Sequence, residues 1–202
     1  MLLAVTCPVC GAAGLAPCAR CRGELRPAPA LADPLGVDAC LALLSYEGAG
    51  RELVARLKYR NHRCALPGLA LAMASLVAGP AAIDVVTWAP TTPARRRQRG
   101  FDQAELLARR IAQHLHRPCR RLLVRLPGEA QTGRPLAERQ GAPSFRPRPR
   151  LWLPHSSVLV VDDVITSGAT MAAAAGALRL AGATTVAALA AARTPHRGGG
   201  LH

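Results

Sequence analysis

The chain has 202 residues, half of them apolar but only 3% aromatic, and carries a net charge of +14 from 26 basic and 12 acidic side chains. That length suits one α/β domain with a small appendage, and the apolar share supports a core packed through small side chains. The charge favours phosphorylated ligands or nucleic acid, although an arginine-rich codon usage produces the same excess. No apolar run reaches the ~20 residues that cross a bilayer, since residues 171–192 are interrupted by Gly176, Arg179 and Gly182.

Residues 1–5 are too short for a signal-peptide core and lack a basic leader, so a cytoplasmic protein with reduced thiols and no membrane insertion is expected. Cys7-x-x-Cys10 and Cys18-x-x-Cys21 follow, separated by seven residues. Two such pairs can place four thiolates around one structural Zn²⁺. Four unrelated reduced cysteines, or a redox pair, are the alternatives. Cys40, Cys64 and Cys119 stand alone and are expected to be small buried residues. Residues 1–36 thus read as a zinc-ribbon segment and linker, in which Pro27, Pro29, Pro34 and Gly36 make an irregular arm. Residues 37–193 form the main domain, and 194–202 a flexible glycine-containing tail.

Within the main domain, 38–46 reads as a short strand and 48–59 as a helix, with Leu53, Val54 and Leu57 on one face and Glu52 paired to Arg56. That helix ends near Lys58, the sole lysine, whose charge suits a helix C-terminus. Residues 66–77 form a second helix and 83–88 a strand. The strand runs into a loop through Pro90, Thr91, Thr92 and Pro93, then into a basic stretch from Arg95 to Arg99, Gly100 and Phe101. Asp102 with Glu105 resembles a capping box for a helix whose apolar face is Ala104, Leu107, Ala108, Ile111 and Leu115. A basic loop feeding a helix N-terminus is an anion seat, or simply a solvated charged loop. Residues 121–126 can form a strand. Residues 127–154 have no periodicity, and the nine arginines between Arg117 and Arg150 make this region a basic flap.

The densest information lies in 158–170. Val158, Leu159, Val160 and Val161 show no polar alternation, which suits a strand buried on both faces of a parallel sheet. Asp162 and Asp163 follow where the strand should leave the sheet. Thr166, Ser167, Gly168, Ala169 and Thr170 then form a turn of hydroxyls and small residues before a helix over 171–180. Hydroxyls and orphan N–H groups at a helix N-terminus seat a phosphate, and the carboxylates can accept hydrogen bonds from sugar hydroxyls. A Walker B reading of the strand needs a phosphate loop elsewhere, and Lys58 sits in no such context. A last strand is expected over 184–192.

Residues 158–170 resemble the 5-phosphoribosyl 1-pyrophosphate (PRPP) signature of type I phosphoribosyltransferases. With the paired cysteines, Lys58, Arg99-Gly100-Phe101, and Arg125, Gln131, Arg139 and Phe145 in the flap, the chain is similar to the ComF-type phosphoribosyltransferase-like family. The resemblance implies a type I phosphoribosyltransferase-like α/β fold, with a mainly parallel sheet flanked by helices and a small zinc ribbon. It implies that Asp162 and Asp163 hold the ribose hydroxyls and that Thr166 to Thr170 hold the 5′-phosphate. Lys58, Thr91, Thr92, Arg99 and Gly100 would lie near the pyrophosphate, which binds with Mg²⁺, and Arg125, Gln131 and Arg139 would ride on a mobile loop. It further implies a role in DNA uptake and natural transformation, with or without transfer of the phosphoribosyl group to an acceptor. The other reading is a non-catalytic adaptor that binds single-stranded DNA and a competence helicase or recombination protein. The chain departs from the family pattern at Asp102, which stands where asparagine is usual, near Gly141, where a further asparagine is common, and in its short cysteine spacer.

Overall fold

A computed structural model describes residues 5–30, 32–57, 64–79, 82–127 and 143–195. The main domain is built on a four-stranded, wholly parallel sheet in the order β1-β6-β5-β2. Its strands are β1 (Ala39–Ser45), β2 (Val85–Trp88), β5 (Ser157–Ile165) and β6 (Thr185–Arg193). Strands β3 (Leu123–Arg125) and β4 (Phe145–Pro147) form a separate antiparallel pair.

Alternate residues of the central strand β5 feed two cores. Leu159 and Val161 pack with α2 (Gly48–Arg56), α3 (Leu66–Ala74) and α5 (Gln103–His114). Val158 and Val160 pack with α6 (Ala169–Leu180) and with Leu122 and Leu123 at the start of β3. All four side chains are buried, which is why the strand carries no polar alternation. The fold is therefore α/β with a mainly parallel sheet flanked by helices. Among the described residues, no helix is long and apolar enough to cross a membrane.

Several elements differ from the sequence-based expectation. Strand β5 does not end at Val161 but continues to Ile165, so Asp162 and Asp163 lie within it. Pairing with β6 persists there, Asp162 lying opposite Ala190 and Ile165 opposite Arg193. The basic stretch is not a loop. It is the helix α4 (Pro93–Arg99), begun by Thr92, whose hydroxyl accepts the Arg95 N–H at 3.2 Å, and ended by Gly100 at φ 77°. Asp102 precedes α5 but its side chain makes no cap; Glu105 pairs instead with Arg109 at 2.9 Å and Arg96 at 3.5 Å. A short helix α1 (Ala19–Gly23) spans the second cysteine pair. Cys64 is exposed, and Cys40 and Cys119 are half-buried, because each sits at the edge of an element rather than in the core.

Leu159 is fully buried at the centre of the sheet. Leu159→Ala should lower unfolding stability by ~2–5 kcal/mol, read from the urea midpoint at unchanged slope.

Candidate functional site

Strand β2 ends opposite Val161, with Trp88 its last paired residue, and Pro90 follows without an N–H to continue the ladder. Strand β5 overhangs by four residues, of which Asp162, Val164 and Ile165 pair on the β6 side. The gap is a crevice of about 190 Å³ outside the carboxyl ends of β2 and β5, lined by Asp162, Asp163, Thr91, Arg95, Arg99, Asp102, Arg125 and Thr170 together with backbone of the loop after β2. This is the usual place for a ligand in an open parallel sheet.

The charges in the crevice are tightly coupled. Asp162 is half-buried, and its carboxyl accepts the Asp163 N–H at 2.8 Å. Burial, then the adjacent Asp163, pushes the Asp162 carboxyl well above its ordinary range. Asp102 is buried and accepts the Thr91 N–H at 2.9 Å, and burial raises its carboxyl too. Arg125 reaches in from β3, its guanidinium 3.4 Å from the Pro90 carbonyl oxygen and over the Phe145 ring at 5.5 Å. Burial and Arg95 draw its pKa down, while Asp162 and Asp102 hold it up. Three arginines thus face three aspartates, an arrangement suited to a polyanion that brings its own hydroxyls or cation.

Asp162, Asp163, Thr91, Arg99, Arg125 and Thr170 come together in this crevice. Thr170 occupies the first turn of α6, where N–H groups lack intrahelical acceptors. Gly168, at φ 80°, precedes that helix, and Ser167 Oγ accepts the Ala169 N–H at 3.4 Å. Thr166 and Ser167 are exposed beside the crevice rather than lining it. Thr92 and Gly100 bound α4 and do not line it either. Lys58, Gln131 and Arg139 lie outside the described residues.

Arg95, Pro90 and Gln103 also line the crevice, beyond the residues expected from sequence. Arg95 was readable in principle: Thr-Pro at 92–93 and glycine at 100 are the start and stop signals of a helix, which places Arg95 and Arg99 on one face.

At the other end of the chain, the sulfurs of Cys7, Cys10, Cys18 and Cys21 lie within 4.8 Å of one another. Zn–S bonds of ~2.3 Å in a tetrahedron separate sulfurs by about 3.8 Å, and the Cys10 and Cys18 sulfurs are 3.8 Å apart. The Cys18 N–H points to the Cys7 sulfur at 3.5 Å. Burial pushes the Cys7 thiol up, but the N–H groups of Cys18, Cys10 and Val9 outweigh it and bring it down to about 6. Burial and the neighbouring sulfurs push Cys21 up to about 12. Four such sulfurs ionise together only around a cation, and this donor set fits a closed Zn²⁺ site.

No protein-family model matches the chain, and no curated protein matches it. Among solved structures, it is similar to one described as the structure of the allosteric regulatory enzyme of purine biosynthesis, with 25% identity over 64% of this chain and a TM-score of 0.45. The alignment covers 26% of that protein's length.

Two outcomes follow from the ionisation of the site. Asp162 binds its proton more tightly folded than unfolded, so its contribution to stability is full below the ordinary value of 3.8 and is lost as pH rises through the raised folded value. Asp162→Asn should therefore raise the thermal midpoint at pH 7 and flatten its pH dependence, read by calorimetry between pH 4 and 8. For the cysteine cluster, elemental analysis should find about one zinc per chain; reduced protein without zinc would remove that assignment.

Proposed function

We propose that this chain binds PRPP or a related phosphoribosyl ligand in the crevice, on a type I phosphoribosyltransferase-like fold of the ComF kind. The observation that carries the reading is the convergence of Asp162, Asp163 and Thr170 with Arg95, Arg99 and Arg125 at one sheet edge. In this reading Asp162 and Asp163 accept hydrogen bonds from the ribose hydroxyls. Thr166, Ser167, Gly168, Ala169 and Thr170 receive the 5′-phosphate through orphan N–H groups and hydroxyls. Thr91, Thr92, Arg99 and Gly100, with Lys58, serve the pyrophosphate end, while Arg125, Gln131 and Arg139 cover it. Burial raises the Asp102 carboxyl above its ordinary range, and the Thr91 N–H that it accepts works against that shift.

The crevice carboxylates are hard oxygen donors of the kind that hold Mg²⁺ together with ligand phosphates. When bound, Mg²⁺ neutralises pyrophosphate charge. The residues of the chain orient the ribose and the two anionic ends, and the arginines stabilise negative charge that gathers on a departing pyrophosphate. Transfer of the phosphoribosyl group to an acceptor is the reaction this arrangement favours, and the ComF resemblance supports a place in DNA uptake. The net charge of +14 favours a second reading, an adaptor for single-stranded DNA and a competence helicase or recombination partner.

Titration calorimetry with PRPP and Mg²⁺ decides the first reading. Binding should weaken by at least about tenfold in Asp162→Ala and in Asp163→Ala, given ~1.5–3 kcal/mol for hydrogen bonds to a charged group. Absence of binding heat with the wild type would overturn it, and pyrophosphate release with an added acceptor would establish transfer. Single-stranded DNA binding with a steep salt dependence, unaffected by either substitution, would favour the adaptor.

A further inference from the structure

The arm between the cysteine cluster and the sheet is not slack. Its first part is sewn to β1: the Ser45 N–H donates to the Arg26 carbonyl at 2.9 Å, the Ala28 N–H to Leu43 at 3.2 Å, and Pro27 bridges antiparallel to Leu44. Its second part is held from β6, β1 and α6. Arg193, the last residue of β6, donates to the Ala32 carbonyl at 2.8 Å. Asp33 accepts the Cys40 N–H at 2.9 Å. Arg179 of α6 donates to the Gly36 carbonyl at 3.1 Å and grips both carboxylate oxygens of Asp38 at 2.7 and 2.8 Å.

Between these fastenings Pro34 presses on the anion loop. Gly168 is buried at φ 80°, and a Cβ placed there would lie 2.8 Å from Pro34 Cγ. The proline ring therefore occupies the space against the residue that starts α6. At the arm's other end the ribbon is itself docked: Val9, Ala16 and Leu25 pack on the core of the α2, α3 and α5 face, and the Cys64 thiol points to the Thr6 carbonyl oxygen at 3.6 Å.

We propose that residues 24–38 are a strap by which the metal-bearing ribbon holds the Thr166–Thr170 loop in its anion-binding shape, with Pro34 as the positioning residue. Occupancy of the four-cysteine site then sets affinity for a phosphate monoester some distance away. The coupling to ligand rests on the phosphoribosyl reading; the mechanical coupling does not. Pro34 is not among the residues that line the crevice. Loosening it makes ligand binding bear the ordering of the loop.

The experiment follows hydrogen exchange at 166–170 in the full-length, zinc-loaded chain and in chain stripped by a chelator, with ribose 5-phosphate as the calorimetric probe. Pro34→Gly, and Pro34→Ala as a milder change that keeps Cβ, should retain zinc and core protection in β5 and β6. Exchange at 166–170 should nevertheless rise, and ribose 5-phosphate affinity fall about tenfold, as the loop's ordering becomes part of the binding cost. Stripping zinc from the wild type should do the same, and stripping the variants should add little, the signature of one shared path. By linkage, ribose 5-phosphate should raise zinc affinity, read by competition with a chelator at equilibrium, more in the wild type than in the variants. Wild-type exchange at 166–170 in the variants or in stripped protein, or fully additive effects, would overturn the strap. Raised exchange in a protein that never binds ribose 5-phosphate would support the strap and overturn the phosphoribosyl reading.

Discussion

The unequal length of two neighbouring strands governs this molecule. Strand β2 stops at Trp88 opposite Val161, and β5 runs on to Ile165 with β6 alongside. A carboxylate on an unsupported loop would move freely; a carboxylate on a strand hydrogen-bonded along one edge is placed by the ladder. The overhang thus gives Asp162 and Asp163 the rigidity of a sheet and the access of a loop. Everything else in the crevice gathers around that ledge, with α4 and the Asp102 turn on one side, Arg125 above, and the start of α6 beyond.

The same ledge is electrostatically costly. Asp162 is driven toward its protonated form by burial and by Asp163, and Asp102 by burial. A chain selected for stability alone would not collect acids there, and such clustering marks places where binding has outweighed stability. The arginines compensate only in part, because Arg125 is itself disfavoured by burial and by Arg95. A ligand that donates hydroxyl hydrogens to the acids and offers phosphate oxygens to the arginines relieves both strains together.

Much of this was legible in sequence, for reasons that also explain what was not. Val158 to Val161 announced a doubly buried strand because both faces must be apolar. Its true end was hidden, since a hydrophobic pattern stops at the first acid while backbone pairing with β6 does not. Helix α4 has no buried residue, so it leaves no apolar periodicity; only its end signals, Thr92-Pro93 and Gly100, betray it. The capping-box pattern at Asp102 was present in residues but used otherwise, because the Thr91 N–H competes for the same carboxylate. The cysteine pairs were legible from spacing. The contact of Pro34 with Gly168 was not, since nothing local in either segment points to a partner more than a hundred residues away.

Helix α6 turns three alanines, flanked by Met171 and Leu178, to the core beneath it. Ala174, Ala175 and Ala177 on the helix and Ala188 and Ala190 on β6 are all buried in one core. Alanine has no side-chain rotamers to freeze and no alternative way of interdigitating. Along these alanines the helix packs through methyl groups and backbone, while Met171 and Leu178 supply the larger side chains of the same face. Larger residues can often repack around a disturbance, but methyl groups have nothing to rearrange. An enlarged side chain at Ala174, Ala175 or Ala177 would therefore be felt as a shift of the whole helix, and so at the tip that faces the crevice.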